Sequence, residues 1–206
     1  MLADHVGLLF FPHDLLWRIV GRLAFPLFAF LIAEGFERTS NVRNYFFRLL
    51  GFAVISQLVY SPFNHAAGDT LSTLNIFFTL AGGLLALILW NRLSFFSSIP
   101  AIIIICVFAD FASFDYGSYG ILTVLLSRLA LTYRAFGLPT LFIFPYAVTI
   151  FRFVLGTLSI QSFASMSVPL IATYNGERGF ALPRKLLYWF YPLHLLILLS
   201  IWYFMH

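Results

Sequence analysis

Charged residues are scarce in this sequence. Asp, Glu, Lys and Arg together make up 10% of its 206 residues, whereas a soluble domain usually carries about 25%. Apolar residues make up 61%, and the mean hydropathy is +0.93. So little charge cannot keep a folded protein soluble in water, which excludes a soluble enzyme. We also expect no nucleic-acid partner. A lipid bilayer is the expected surrounding.

Cysteine is nearly absent as well. The single cysteine, Cys106, lies in the apolar run Ile102–Phe108, which rules out an internal disulfide and a cysteine-based metal site. The sequence also lacks GxSxG, HExxH and Walker A motifs and carboxylates paired at short spacing, so no metal is expected. The first residues carry no basic signal-peptide region, and later helices are therefore expected to direct membrane insertion.

What the sequence does contain is a series of apolar runs separated by short polar breaks. Continuous runs favour helices over strands of alternating polarity, so we predict an all-α, polytopic transmembrane helix bundle. The composition is even along the chain, which predicts one domain over residues 1–206. The eight predicted spans are Leu15–Phe36, Tyr45–Tyr60, Leu74–Trp90, Ile99–Ala112, Gly117–Tyr133, Leu138–Leu158, Ser159–Tyr174 and Leu186–Met205.

Two local features modify this pattern. Pro26 lies inside the first predicted span and is expected to kink it. The run Val6–Phe11 is too short to cross a bilayer. The segment with Asp4 and His5 is therefore expected to be the end of a truncated helix whose first half is missing from the sequence.

Lys and Arg fall in alternate loops between the spans. Because positive charge favours cytoplasmic loops, this alternation predicts that the chain start and the C-terminal His206 lie at the outer face. The basic residues of the predicted cytoplasmic loops are Arg38, Arg43, Arg92, Arg134, Arg178, Arg184 and Lys185.

Ionisable side chains inside the spans are costly in lipid and are therefore candidates for function. Arg18 and Arg22 lie four residues apart, on one face of the first span, and Glu34 follows about 18 Å farther along. A purely structural role stays open for Arg18 and for Glu34. Arg18 can extend to the membrane interface, and Glu34 can pair with Arg38 or Arg48.

Three histidines are further candidates. His5 adjoins Asp4, His13 adjoins Asp14, and His194 lies within the last span. A histidine inside a membrane often serves only as a hydrogen-bonding group that ties helices together. The residue pattern alone therefore names no reaction.

A set of short strings takes the interpretation further. The strings are Asp4–Gly7, Gly21–Phe30 with Glu34-Gly35, Tyr45 with Arg48-Leu49, Ser56-Gln57, Leu74-Asn75 with Thr79-Leu80, Asp115–Gly117 with Tyr119-Gly120, Tyr174–Gly176 with Arg178-Gly179, and Lys185 with Tyr188–His194. With them the sequence resembles, from end to end, the TraX family of conjugal-transfer membrane proteins, whose founding type acetylates the N-terminus of F-pilin. That family is in turn similar to wider membrane acyltransferases.

The resemblance implies an acetyltransferase of the bacterial cytoplasmic membrane that takes its acetyl group from cytoplasmic acetyl-CoA. The nucleotide end of acetyl-CoA is polyanionic, so cytoplasmic cations are expected to bind its phosphates. The residues expected to bind the donor are Arg38, Arg43, Arg48, Arg178, Arg184 and Lys185, with Asn75 deeper in the bundle.

Acyl transfer needs a base, and the resemblance places that role on His5, with His194 as the alternative. Asp4 is an awkward partner for His5, because adjacent helical residues point about 100° apart. Asp14 or a backbone carbonyl could orient His5 instead. The developing oxyanion could be stabilised by Arg22 or by Asn75.

Several functions remain open on this sequence. The acceptor could be a pilin N-terminus, another exported polypeptide or a hydroxyl of a surface glycan. A transporter or channel would also account for charge inside the membrane. A non-enzymatic component of conjugation or secretion machinery would need no chemistry.

Overall fold

A computed structural model describes residues 1–68, 73–177 and 184–205, without the side chains of Arg184 and Lys185. Within these ranges the chain folds almost entirely into α-helices. They are α1 (Leu2–Phe10), α2 (Leu15–Arg22), α3 (Ala24–Arg38), α4 (Val42–Ala66), α5 (Ile76–Arg92), α6 (Phe95–Phe111), α7 (Gly117–Thr132), α8 (Arg134–Val154), a 3₁₀ helix (Gln161–Ser167), α9 (Val168–Ala172) and α10 (Arg184–Met205).

The predicted all-α membrane bundle is confirmed. Among the described residues, four helical stretches are long and apolar enough to cross a bilayer: Leu15–Arg38, Val42–Ala66, Arg134–Val154 and Leu186–Met205. Three shorter apolar helices, α5, α6 and α7, coincide with three further predicted spans. Seven of the eight predicted spans thus correspond to apolar helices.

The first long stretch is interrupted at Leu23, between α2 and α3. The N–H of Leu23 bonds to the carbonyl of Val20 at 3.3 Å, in the i to i−3 pattern of a tightened turn. Pro26 follows within one turn and cannot donate to the carbonyl of Arg22. The predicted distortion near Pro26 is therefore present.

The segment predicted as a span over Ser159–Tyr174 has a different structure. It forms the 3₁₀ helix and the short α9 in place of one long α-helix. The hydroxyls of Ser165 and Ser167 donate to carbonyls three residues back, at 2.7 Å each, and thereby compete with regular α-helical bonding. Pro169 is the second residue of α9, in the first turn, where no backbone N–H is required.

Close helix packing depends on small residues, as is usual in membrane bundles. Helices α1 and α2 form an antiparallel pair in which Gly7 lies against Trp17 and Gly21 lies against Asp4. A side chain at either glycine would collide with its neighbour. This packing fixes α1, and with it Asp4 and His5, against the rest of the bundle.

The bundle has two distinct ends. We call the basic end the one that contains Arg38, Arg43, Arg92 and Arg134, at the ends of α3, α4, α5 and α8. Ion pairs and hydrogen bonds between helices stabilise the basic end, including the Arg128–Glu37 ion pair at 2.6 Å. At the opposite end Leu74 exchanges backbone hydrogen bonds with Ser113 and Asp115. Arg152, near the end of α8, lies exposed toward this opposite end.

Candidate active site

Helix α1 presents two neighbouring polar residues to different helices. The carboxylate of Asp4 faces α2, where it contacts Arg18 and Arg22. The imidazole of His5 faces α10 and α4, where it contacts His194 and Phe63. Successive helical residues point about 100° apart, so this division follows from the helix itself. It agrees with the expectation that Asp4 does not orient His5.

The two imidazoles form a hydrogen-bonded pair. Nδ1 of His5 lies 2.8 Å from Nε2 of His194. Nδ1 of His194 lies 2.7 Å from the backbone carbonyl oxygen of Phe190, one turn earlier on α10. Both histidines are buried, with 9% and 5% of their surfaces exposed.

The Phe190 carbonyl determines the tautomers of the pair. A carbonyl oxygen can only accept, so Nδ1 of neutral His194 must carry its hydrogen. Nε2 of His194 is then an acceptor, and Nδ1 of His5 donates to it. Nε2 of His5 is left with a lone pair. The chain Phe190, His194, His5 therefore presents His5 as a base through its Nε2 and orients it through its Nδ1.

Aromatic rings enclose this pair. The Phe63 ring packs edge-on against His5, with centroids 5.3 Å apart, and the Phe190 ring stacks on His194 at 5.0 Å. Tyr191 contacts both imidazoles, at 6.0 Å from His5 and 5.6 Å from His194. Such surroundings exclude water and hold both rings in fixed orientations. In the part of the chain that the structure describes, no third His, Cys, Asp or Glu joins the pair as a metal site would require.

Asp4 binds two arginines of α2. Its Oδ1 lies 3.3 Å from Arg18 and 3.4 Å from Arg22. Arg22 also approaches Gln161 of the 3₁₀ helix at 3.5 Å and lies 5.8 Å from the Tyr116 ring centroid. These contacts give Arg22 and Asp4 a clear structural role in tying α1, α2, α7 and the 3₁₀ helix together.

A cavity of about 890 Å³ opens at the basic end between α3, α4 and α10. Its mouth is polar and includes Arg38, Asn41, Asn44 and Arg48. Its inner end is lined by Ile76 and Phe77, at the start of α5, and by Tyr191. Because Tyr191 also contacts both histidines, the cavity ends one side chain away from the His5–His194 pair.

Arg38 and Arg48, two of the predicted donor-binding residues, lie at this mouth. Arg48 donates from Nε to the Tyr188 hydroxyl at 3.1 Å and stacks between the rings of Tyr45 and Tyr188. Arg38 pairs with Glu34, as the sequence allowed, and donates to the Tyr174 hydroxyl at 3.2 Å. It also donates to the carbonyl of Gly176. The hydrogen bond from Tyr174 to the Glu34 carboxylate raises the pKa of the Tyr174 phenol.

Arg43 lies elsewhere, with its guanidinium 5.7 Å from the ring centroid of Phe47, and it is not among the residues that line the cavity. Arg43 and Arg48 lie five residues apart on α4, and at about 100° per residue this spacing directs them to different faces of the helix. Arg178 falls outside the described residues, and so do the side chains of Arg184 and Lys185.

The side chains of Asn75 and Asp14 are both used as helix caps. Asn75 is fully buried, donates from Nδ2 to the Ala53 carbonyl and to Gln57 at 2.7 Å each, and caps α5 at the N–H of Phe77. These contacts favour a structural role for Asn75 over an oxyanion role. Asp14 caps α2 by accepting from the N–H of Leu16 at 3.0 Å. The orienting group of His5 is thus His194, backed by a carbonyl.

The family model of the TraX protein matches residues 1–202 of this chain. The chain belongs to the TraX family. The match contains both His5 and His194, and it confirms the relationship that the sequence strings indicated. Seen within this family, the His5–His194 contact joins the two motif strings nearest the two ends of the chain.

One curated relative of this TraX family member is the probable fimbrial assembly protein FimC, serogroup H1, of Dichelobacter nodosus. The two are 38% identical over 141 residues, which are 61% of this chain and 56% of the relative. The chain thus spans little more than half the length of that relative. No solved structure matches the chain.

Tyr188 and Tyr191 are the site residues that the sequence did not single out. They stand three residues apart, and His194 follows three residues later, so all three share one side of α10. This spacing is the sequence signal that could have identified the two tyrosines as site residues. It places the contact with Arg48, the inner end of the cavity and the histidine pair in that order along one helix.

Proposed function

We propose that this TraX family protein is an acetyltransferase that moves an acetyl group from acetyl-CoA to an amine or hydroxyl of an exported acceptor. The observation that carries the proposal is the buried hydrogen bond between His5 and His194, backed by the Phe190 carbonyl. A hydrogen bond that only ties helices together does not require a particular tautomer. Here the Phe190 carbonyl fixes the tautomer of both rings and leaves Nε2 of His5 with the lone pair that a base needs.

The cavity supports acetyl-CoA as the donor. Arg38 and Arg48 at its mouth carry the charge that phosphates require, and the side-chain amides of Asn41 and Asn44 add further donors. Farther in, the lining is mostly apolar, with Leu31, Ile32, Leu49 and Leu80 among its residues. A polar entrance followed by an apolar shaft suits a nucleotide attached to a thioester arm.

The proposed reaction balances without any further reagent. The acceptor nitrogen or oxygen attacks the thioester carbonyl carbon while Nε2 of His5 takes the acceptor's proton. The tetrahedral intermediate then collapses, the carbon–sulfur bond breaks, and the CoA thiolate recovers that proton from His5. His194 accepts the hydrogen bond from His5 Nδ1 throughout and stabilises the imidazolium that forms transiently.

Asp4 and Arg22 act as positioning residues in this proposal. Their ion pair lies on the α2 side of α1, whereas the cavity ends against α10. Holding α1 to α2 fixes the depth and rotation of α1, and therefore the place of His5. A shift of about 1 Å in such a base can cost about 100-fold in rate.

We propose an exported pilin-like polypeptide as the acceptor, with its N-terminal amine as the nucleophile. The name of the fimbrial assembly relative supports a pilus context for this chain. A hydroxyl of a surface glycan is the competing acceptor chemistry. The basic end would face the cytoplasm, where acetyl-CoA is made, and the end near Asp14 would face outward.

Purified protein in detergent or nanodiscs tests the proposal. Acetyl-CoA should raise its unfolding temperature, because a ligand of the folded state stabilises by mass action. Radiolabelled acetyl-CoA should label a peptide with a free N-terminal amine and should not label the same peptide N-acetylated in advance. A glycan acceptor labelled in place of the peptide would correct the acceptor alone. Absence of both stabilisation and transfer, with any acceptor, would refute the enzyme and favour a non-enzymatic assembly component.

A further inference from the structure

The hydroxyl hydrogen of Tyr191 has no acceptor in the part of the fold that the structure describes. Only 2% of this residue is exposed. The phenol oxygen lies toward the backbone N–H of Ile76, the first residue of α5, so its hydrogen is free to point elsewhere. Burying such a group without an acceptor destabilises a protein, and phenylalanine would avoid that cost.

The position of the hydroxyl indicates what the missing acceptor is. Tyr191 lines the inner end of the cavity and its ring contacts both histidines. Ile76 and Phe77 line the same place, so the N-terminus of the 17-residue helix α5 faces the inner end of the cavity. A helix N-terminus favours negative charge. The two features together favour an oxygen that becomes negative during a reaction.

We propose that Tyr191 is a further catalytic residue, the donor that stabilises the oxyanion formed on the acetyl carbonyl of acetyl-CoA. This inference rests on the proposed acetyltransferase function. As the acceptor attacks, the carbonyl π electrons move onto oxygen, and the Tyr191 hydroxyl donates a hydrogen bond to that oxygen while keeping its proton. When the carbon–sulfur bond breaks, the carbonyl re-forms and the hydrogen bond weakens.

This assignment separates two tasks between neighbouring side chains. His5 moves the acceptor's proton, and Tyr191 stabilises charge on the carbonyl oxygen. The sequence suggested Arg22 and Asn75 as oxyanion donors, but both already have partners. Arg22 contacts Asp4 and Gln161. Asn75 donates to the Ala53 carbonyl and to Gln57. The free hydroxyl of Tyr191 requires no such contacts to be broken.

The substitution Tyr191→Phe removes the hydroxyl and keeps the ring, so packing should survive. We expect a fall in kcat of about 10²–10³, with unchanged membrane insertion and an unchanged acetyl-CoA dissociation constant. The matched control is Tyr119→Phe on α7, which removes the hydroxyl of another buried tyrosine. Tyr119 stacks on Phe144, away from the histidine pair, so its variant should keep full activity.

A spectroscopic measurement adds a readout that packing alone would not change. Hydrogen bonding lowers the carbonyl stretching frequency of bound [1-¹³C]acetyl-CoA, and Tyr191→Phe should return that frequency toward its value in free acetyl-CoA. If the unaltered protein transfers acetyl groups while Tyr191→Phe matches it in both kcat and carbonyl frequency, the Tyr191 assignment is wrong and the enzyme stands. If the unaltered protein neither binds acetyl-CoA nor transfers its acetyl group, the proposed function fails and this inference falls with it.

Discussion

His5 and His194 lie 189 positions apart in the chain and share a hydrogen bond of 2.8 Å inside the bundle. The bond joins α1 to α10, and its direction is set by the Phe190 carbonyl on α10. The two histidines are therefore unequal. One has a free nitrogen that can take a proton, and the other holds the first in place.

This inequality predicts different effects for substitutions at the two positions. His5→Gln removes the base and should lower kcat by about 10²–10⁴ with acetyl-CoA affinity unchanged. It should also remove the limb of the pH–rate profile that a histidine base produces. His194→Gln offers an amide oxygen that can still accept from His5 Nδ1, so it should lose less activity and keep that limb.

His194→Leu is the companion variant, because leucine cannot accept the hydrogen bond at all. Its kcat should fall well below that of His194→Gln. Membrane insertion and acetyl-CoA binding, measured for each variant, separate catalytic loss from misfolding. Normal transfer by His5→Gln together with an inactive His194→Gln would reverse the roles and assign the base to α10.

Much of the fold could be predicted from the sequence because lipid imposes strong constraints on it. Apolar runs of sufficient length must become helices, and seven predicted spans did so. The Glu34–Arg38 pair was foreseeable too, since an i, i+4 spacing places both side chains on one helix face. Local periodicity therefore suffices for features within one helix.

Contacts between helices could not be predicted in the same way. Nothing in the spacing of His5 or His194 shows that α1 and α10 meet at those residues, because the rotation of each helix depends on packing along its whole length. Arg43 and Arg48 were both predicted to bind the donor, yet only Arg48 lines the cavity. The 3₁₀ helix near Gln161 also depends on serine hydroxyl bonds that hydropathy does not register.

The second prediction concerns orientation in the membrane. A reporter fused after Asn41 or after Glu177, both at the basic end, should behave as cytoplasmic, whereas one fused after Ala67 should behave as external. Alkaline phosphatase and green fluorescent protein fusions give opposite signals at each site. A cytoplasmic signal after Ala67 would contradict the direction in which acetyl groups are proposed to move.

The third prediction concerns the mouth of the cavity. Arg48→Gln should weaken acetyl-CoA binding by about 10- to 100-fold, the effect of losing one hydrogen bond to a charged group. The difference from the unaltered protein should shrink as salt increases, because salt screens an exposed charge. Isothermal titration at two ionic strengths measures both effects.

Arg43→Gln is the control for that experiment, since it removes the same charge from the same helix at a residue stacked on Phe47 outside the cavity. Its affinity should stay near that of the unaltered protein. Equal losses in both variants would mean that net charge at the basic end, and not the cavity, attracts the donor. The triple substitution of Arg178, Arg184 and Lys185 by Gln should also weaken binding in a salt-sensitive way.

The fourth prediction concerns the ion pairs that hold α1 on α2. Asp4→Asn removes the carboxylate that pairs with Arg22, whose side chain is 14% exposed. Breaking a buried pair in this way can cost up to about 3–5 kcal/mol of unfolding free energy. The variant should unfold at a lower temperature, and its activity should fall because α1 no longer holds His5 at a fixed depth.

Adding Arg22→Met to Asp4→Asn removes the unpaired charge as well, and the double variant should recover much of the lost stability while activity stays reduced. Thermal unfolding followed by tryptophan fluorescence, with transfer rates for both variants, measures the two effects separately. Full activity in Asp4→Asn would show that the ion pair stabilises the bundle without positioning the base.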